Sequence, residues 1–251
     1  MRNDIIIFRG PSISSEEARK YSDAIFLPPA KQGDMYKAYS QYKPKAMGLI
    51  DGNFERIPSP WHKEILYLIS QGVKVFGASS MGALRASELD MFGMFGIGEI
   101  YDQYSCGLID DDDEVAILHA PAEMDYTPLS DAMVDIRATL ELAENHGVLT
   151  PDLKIYLEHF YKRSFYKERK YHNGISFFKH SYPDTMQSFS EWLKENKIHQ
   201  KRDDAILLLK IIQRYEVFPN NNFQFNNTVY WHNLKFTIDQ QITQQLQEEL
   251  V

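Results

Sequence analysis

Between Val73 and Leu89 the chain passes from strand-forming to helix-forming residues through a run of small or unbranched ones. Few folds accommodate such a change. Val73, Val75 and Phe76 make a short apolar run closed by Gly77, whereas Ala83, Leu84, Arg85, Ala86 and Leu89 are good helix formers. The joint, Gly77-Ala78-Ser79-Ser80-Met81-Gly82, predicts a tight strand-to-helix bend. Ser80 follows Ala78 by two positions and precedes Gly82 by two, the spacing of a nucleophile elbow. In such an elbow, small neighbours let the turn lift a hydroxyl to the edge of a sheet. The new helix presents unpaired N–H groups and a positive dipole end, which suit a developing anion. Ser79 or Ser80 equally suits an N-cap, and the two roles can fall one on each serine.

The rest of the first half repeats the alternation. Ile5-Ile6-Ile7-Phe8 is continuously apolar, as in a strand buried on both faces of a parallel sheet, and Gly10-Pro11-Ser12 ends it. A helix capped by Ser14 or Ser15 is expected next, then strand Ala24–Leu27, helix Asp34–Tyr42 and strand Ala46–Ile50, which stops at Asp51-Gly52. A helix opening at Pro60–Glu64 runs to Gly72, and strand Val73–Phe76 follows. Val115–Leu118 reads as a fifth strand after the acidic run Asp110–Glu114, itself expected to be a solvated loop rather than a metal site. Met91–Gly96 reads as core. This order predicts an α/β fold with an open, mostly parallel, Rossmann-like sheet over residues 1–125. Residues 126–251 are expected to form a mainly helical half packed on it. Helices are expected within 129–145, 152–167, 185–196 and 202–215. A short strand pair is expected in 220–236 and a Gln-rich helix from Asp239.

Composition narrows the partners. A net charge of −8 argues against nucleic acid or an anionic membrane surface, leaving small molecules and proteins. A lone cysteine, Cys106, leaves no intramolecular disulfide and fits a reducing cytoplasm. The N-terminal apolar run is too short for a signal h-region, and no stretch approaches a membrane span, so a cytoplasmic protein is expected.

In an open parallel sheet, ligands bind at the carboxyl ends of the strands. Gly10 to Ser12, Asp51, Ser79, Ser80 and His119 are expected there. A nucleophilic hydroxyl needs a base, and the base an orienting partner. His119 or His62 can take the proton of Ser80, and Asp51, Glu123 or Glu64 can orient the imidazole. The N–H groups of Ser12 and Met81 are candidate oxyanion donors, with Gly10 and Ser79 beside them. Arg85 is a candidate substrate ligand, or a simple partner of Glu88 three residues on. Gly10-Pro11-Ser12 lacks phosphate-loop spacing, and no cofactor is expected.

A series of blocks in one order resembles the TfuA-like core domain. They include Phe8–Ser12, Pro28–Asp34, Gly48–Glu55, Trp61–Leu66, Gly77–Leu89, Asp112–Ala116, His119–Glu123 and Leu129–Leu140, with a looser likeness at Lys201–Ala205. The resemblance implies a role beside a YcaO protein, which uses ATP to activate a backbone amide oxygen that sulfur then replaces, giving a thioamide. It further implies sulfur delivery from a ubiquitin-like carrier protein ending in a thiocarboxylate. Two functions follow: a serine-type hydrolase that frees sulfide from that carrier, or a non-catalytic subunit that binds and activates YcaO. Cys106 as a persulfide carrier is a further option, with no motif behind it.

Overall fold

The computed structural model describes residues 2–55, 57–219 and 223–248. Five parallel strands lie in the order β2-β1-β3-β4-β5: β1 Arg2–Phe8, β2 Ala24–Leu27, β3 Ala46–Leu49, β4 Lys74–Ala78 and β5 Phe95–Ile97. This is the 2-1-3-4-5 order of doubly wound α/β folds, whose crevice opens between β1 and β3. The first half also contains α1 Ser15–Tyr21, α2 Asp34–Tyr42, α3 His62–Ser70, α4 Met81–Leu89 and α5 Glu99–Ser105. The second contains α6 Met133–Asn145, α7 Pro151–Arg163, α8 Tyr171–Phe178, α9 Pro183–Asn196, α10 Gln200–Ile212 and α11 Val229–Glu248.

The apolar run of β1 serves both faces of the sheet. Ile5 and Ile7 pack toward α1 and α10, with Ala18, Leu208 and Ile212. Ile6 and Phe8 pack toward α2, α3 and α4, with Met35, Leu68 and Met81. Each is fully buried or nearly so, worth about 2 kcal/mol per side chain. α10, which belongs to the second half, thus completes the sheet's own core. A separate helical core joins α6, α7, α8 and α9 around Leu140, Leu157 and Phe189. α11 seats Trp231 and Ile238 against Tyr36 of α2.

Four expectations are corrected. The fifth strand is Phe95–Ile97, inside the segment read as core, and not Val115–Leu118. Val115 instead fills a cluster with Ala83, Ile100 and Val134, so its apolarity serves helix packing rather than strand pairing. The described part of 220–236 holds no strand; residues 220–222 lie outside the described residues. The last helix starts at Val229, because Thr228 Oγ1 accepts from the Trp231 N–H and Trp231 anchors the first turn. The acidic run is not simply solvated. Glu114 is buried and takes a bidentate pair from Arg137 at 3.0 Å, and Asp113 binds buried Arg169 at 2.7 Å. Lys162 joins Asp111, Asp113 and Glu114, so the run rivets α7 to the α/β half.

At the β4–α4 joint the backbones approach too closely for a Cβ to fit between them. A Cβ on Gly82 would lie 1.7 Å from the Leu49 carbonyl oxygen, and one on Gly77 2.1 Å from that of Gly82. Gly82→Ala is therefore expected to destabilise by about 3 kcal/mol, whereas Gly107→Ala, with open space but φ of 73°, loses only about 1 kcal/mol. Chemical denaturation of both variants checks the contrast.

Glu64 is buried under the start of α2, accepting from the N–H groups of Gly33, Tyr36 and Trp61 at 2.7, 3.3 and 3.2 Å. Burial pushes its carboxyl up from 4.5 to about 7, against the pull of those donors. The folded chain then holds this proton more tightly than the unfolded chain, so this group's contribution to stability falls as pH rises from about 4.5 to about 7. Urea midpoints of wild type and Glu64→Gln across that range should show a flatter profile in the variant.

Candidate active site at the strand ends

Asp51, just beyond β3, is nearly fully buried and spends its carboxylate on the β1 loop. Oδ2 accepts from Gly10 N–H at 2.8 Å and Ser12 N–H at 3.1 Å, and Oδ1 from Ser12 Oγ at 2.7 Å. A carboxylate with three donors is a strong local clamp. It holds Gly10–Ser12 against the β3 end, and it leaves the Ser12 N–H directed at Asp51.

The elbow comes next. Ser79 adopts a φ of 69°, the left-handed region costly for a residue with a Cβ, and its fully buried Oγ has no hydrogen-bond partner. Ser80 occupies the N-cap position of α4, but its side chain makes no capping bond. Its N–H donates to the Ala78 carbonyl at 2.8 Å, closing the bend, and Gly82 N–H donates to Ile50 O at 3.2 Å. The Met81 N–H has no acceptor among the described residues. Ser80 is 2% exposed and lines an open cavity of about 480 Å³.

Asp51, Lys201 and His119 line the same cavity. The His119 Nδ1 lies 2.8 Å from the Ala120 carbonyl, which can only accept, so Nδ1 carries the proton and Nε2 keeps its lone pair in the neutral ring. The rim stacks edge-on against Tyr126. His119 also borders a neighbouring cavity of about 440 Å³ that runs past Leu27, Pro29 and Tyr42.

The other candidates stand elsewhere. His62 pairs with Glu88 at 2.8 Å outside this cavity. Arg85 donates to Glu88, to the Pro60 carbonyl and to Ser59 Oγ, pinning the 57–61 loop onto α4. Burial raises the Glu88 carboxyl, but His62 and Arg85 outweigh it and hold it below its ordinary value. Glu64 is committed to α2, and Glu123 is exposed and lines neither cavity. Cys106 is exposed just beyond α5 and also lines neither cavity.

Lys201 was not among the site residues expected from sequence. It is 4% exposed at the first turn of α10, its Nζ donates to the Val115 carbonyl at 2.7 Å, and burial lowers its pKa against the pull of Asp51 and Asp135. Its only signal in sequence was its place in the looser Lys201–Ala205 likeness.

Residues 51–170 match the family model described as TfuA-like protein. This region of the chain is TfuA-like. No curated protein matches the chain. The TfuA-like stretch carries Asp51, Ser80 and His119, while Gly10–Ser12 precede it and Lys201 follows it. The cavity is thus assembled from the TfuA-like region and both flanks. No described helix is long and apolar enough to cross a membrane.

The strained, unsatisfied Ser79 marks stability forgone at the bend. Ser79→Gly removes both the left-handed penalty and the orphan hydroxyl and is expected to raise stability by about 1 kcal/mol, read as a higher urea midpoint with unchanged m-value.

Proposed function

We propose that this chain supplies sulfide for backbone thioamide formation by hydrolysing the C-terminal thiocarboxylate of a ubiquitin-like sulfur-carrier protein, beside a YcaO partner. The TfuA-like match supports a role associated with thioamide formation. The observation that carries the chemistry is the Ser80 hydroxyl, without a protein partner at the N-terminus of α4, in one cavity with an imidazole whose Nδ1 is held by the Ala120 carbonyl and whose Nε2 has no partner among the described residues.

Ser80 Oγ attacks the thiocarboxylate carbon while His119 Nε2 takes its proton. The Met81 N–H and the α4 dipole stabilise the oxygen of the tetrahedral intermediate. Collapse breaks the C–S bond, and the imidazolium returns its proton so that sulfur leaves as hydrosulfide. Water, deprotonated by His119, then cleaves the ester, regenerating Ser80 and releasing the carrier as a carboxylate. Asp51 takes no proton in this scheme; it holds the loop that walls the site.

Purified protein incubated with thiocarboxylated carrier should release sulfide. Ser80→Ala should slow release at least about 10³-fold and His119→Ala at least about 10²-fold, with His62→Ala within about threefold of wild type. Equal release by wild type and Ser80→Ala, or none by either, leaves only the non-catalytic YcaO helper.

A further inference from the structure

Lys201 is a buried cation that the hydrolytic scheme leaves unused. Its ammonium has three protons and, among the described residues, one acceptor, the Val115 carbonyl, and it forms no ion pair with a described carboxylate. It shares the cavity lining with Ser80, 2% exposed, whose hydroxyl makes no hydrogen bond among the described residues; the next residue, Met81, opens the nine-residue α4 with an N–H that likewise has no acceptor there. Two carboxylates pull on Lys201 without pairing with its ammonium: Asp51, which accepts from Gly10 and twice from Ser12, and Asp135, which accepts from the Lys201 N–H at 3.0 Å. The other lining cation, Lys167, is paired with Glu55 at 2.6 Å. A wall that holds a buried ammonium with two protons to spare and a buried hydroxyl without a partner suits an acceptor from outside.

We propose that Lys201, together with Ser80 and the Met81 N–H, forms an anion site for the carboxylate-type end of an acyl chain, and that Lys201 selects anionic ends over neutral ones. This rests on the hydrolytic reading for the identity of the acyl chain and deepens it. A thiocarboxylate is already an anion, so nucleophilic attack places a second negative charge on the same carbon centre. Helix N–H groups supply partial charges; a full countercharge removed from water is the stronger means of holding such a centre. A site for neutral esters or amides has no need of one. Lys201 is thereby a specificity-determining residue brought to the strand ends by α10.

The test uses wild-type full-length protein and two fluorescein-labelled hexapeptides ending in Gly-Gly, one with a free carboxylate and one amidated. Fluorescence anisotropy should show the carboxylate bound at least about 10-fold tighter, with acetate eroding that preference. Lys201→Met should abolish the preference and Lys201→Arg keep part of it. Equal binding of the two peptides by wild type, no binding of either, or an undiminished preference in folded Lys201→Met overturns the proposal. Should Lys201→Met fail to fold, wild type labelled with [¹⁵N]methionine decides: the Met81 amide resonance should move with the carboxylate peptide and not with the amide. An unmoved resonance overturns the site. Carboxylate preference without sulfide release sinks the hydrolytic reading and leaves the anion site standing; sulfide release with equal peptide binding does the reverse.

Discussion

Where β4 turns into α4, two backbones touch with no room for a side-chain carbon between them. The Gly82 N–H reaches the Ile50 carbonyl at 3.2 Å, and the hypothetical Cβ of Gly82 falls on the Leu49 carbonyl. That contact sets the height of α4 above the β3 end. The height in turn places the first turn of the helix, with Ser80 and Met81, against the crevice beside Asp51. Met81 presses on Gly52, and a Cβ there would meet its side chain at 2.7 Å. One interlocked set of glycines therefore aligns the helix end, the β3 loop and the cavity floor. Strain at Ser79 is the conformational counterpart of the same tight fit.

Charged groups around the site divide into two kinds. Asp51 and Glu64 are fasteners, each accepting from three donors and each holding a loop or helix start. Asp113, Glu114, Arg137, Lys162 and Arg169 form a network between the loop before Val115 and the helical half. Burial raises the Asp113 carboxyl, and Lys162 and Arg169 reverse that and hold it low, as befits an ion network that stays charged. His119 and Lys201 are not consumed in this way. The imidazole is fastened through one nitrogen only, and the ammonium through one hydrogen bond.

Much of the α/β half is legible in the sequence because its signals are local. Ile5–Phe8 betrays two-sided burial by lacking alternation, helix Asp34–Tyr42 carries its own limits, and the Gly77–Gly82 joint announces a bend. β5 was hidden because a three-residue strand containing Gly96 has no period to detect. Val115–Leu118 misled for the opposite reason: its apolar run looks like a strand, yet its burial comes from helices distant in sequence. The site divides along the same line. Ser80, Asp51 and His119 follow from topology, since strand ends converge. That Asp51 would serve Gly10 and Ser12 rather than a histidine depends on side-chain geometry that spacing does not encode. Lys201 lay beyond reach because the groups that hold it are distant in sequence, Asp135 by 66 residues and Val115 by 86.

α10 covers one face of the sheet, with Leu208 and Ile212 lying over β3 and a Cβ on Gly48 meeting both. A nascent chain that has not yet emerged past Ile212 therefore displays Ile5, Ile7 and Phe76 to water, although all five strands are already synthesised. The same late helix delivers the ammonium to the cavity. Maturation of the pocket is thus tied to translation of α10: a polypeptide that stops before it carries the serine and the imidazole, yet has neither a closed interior nor a fully furnished pocket.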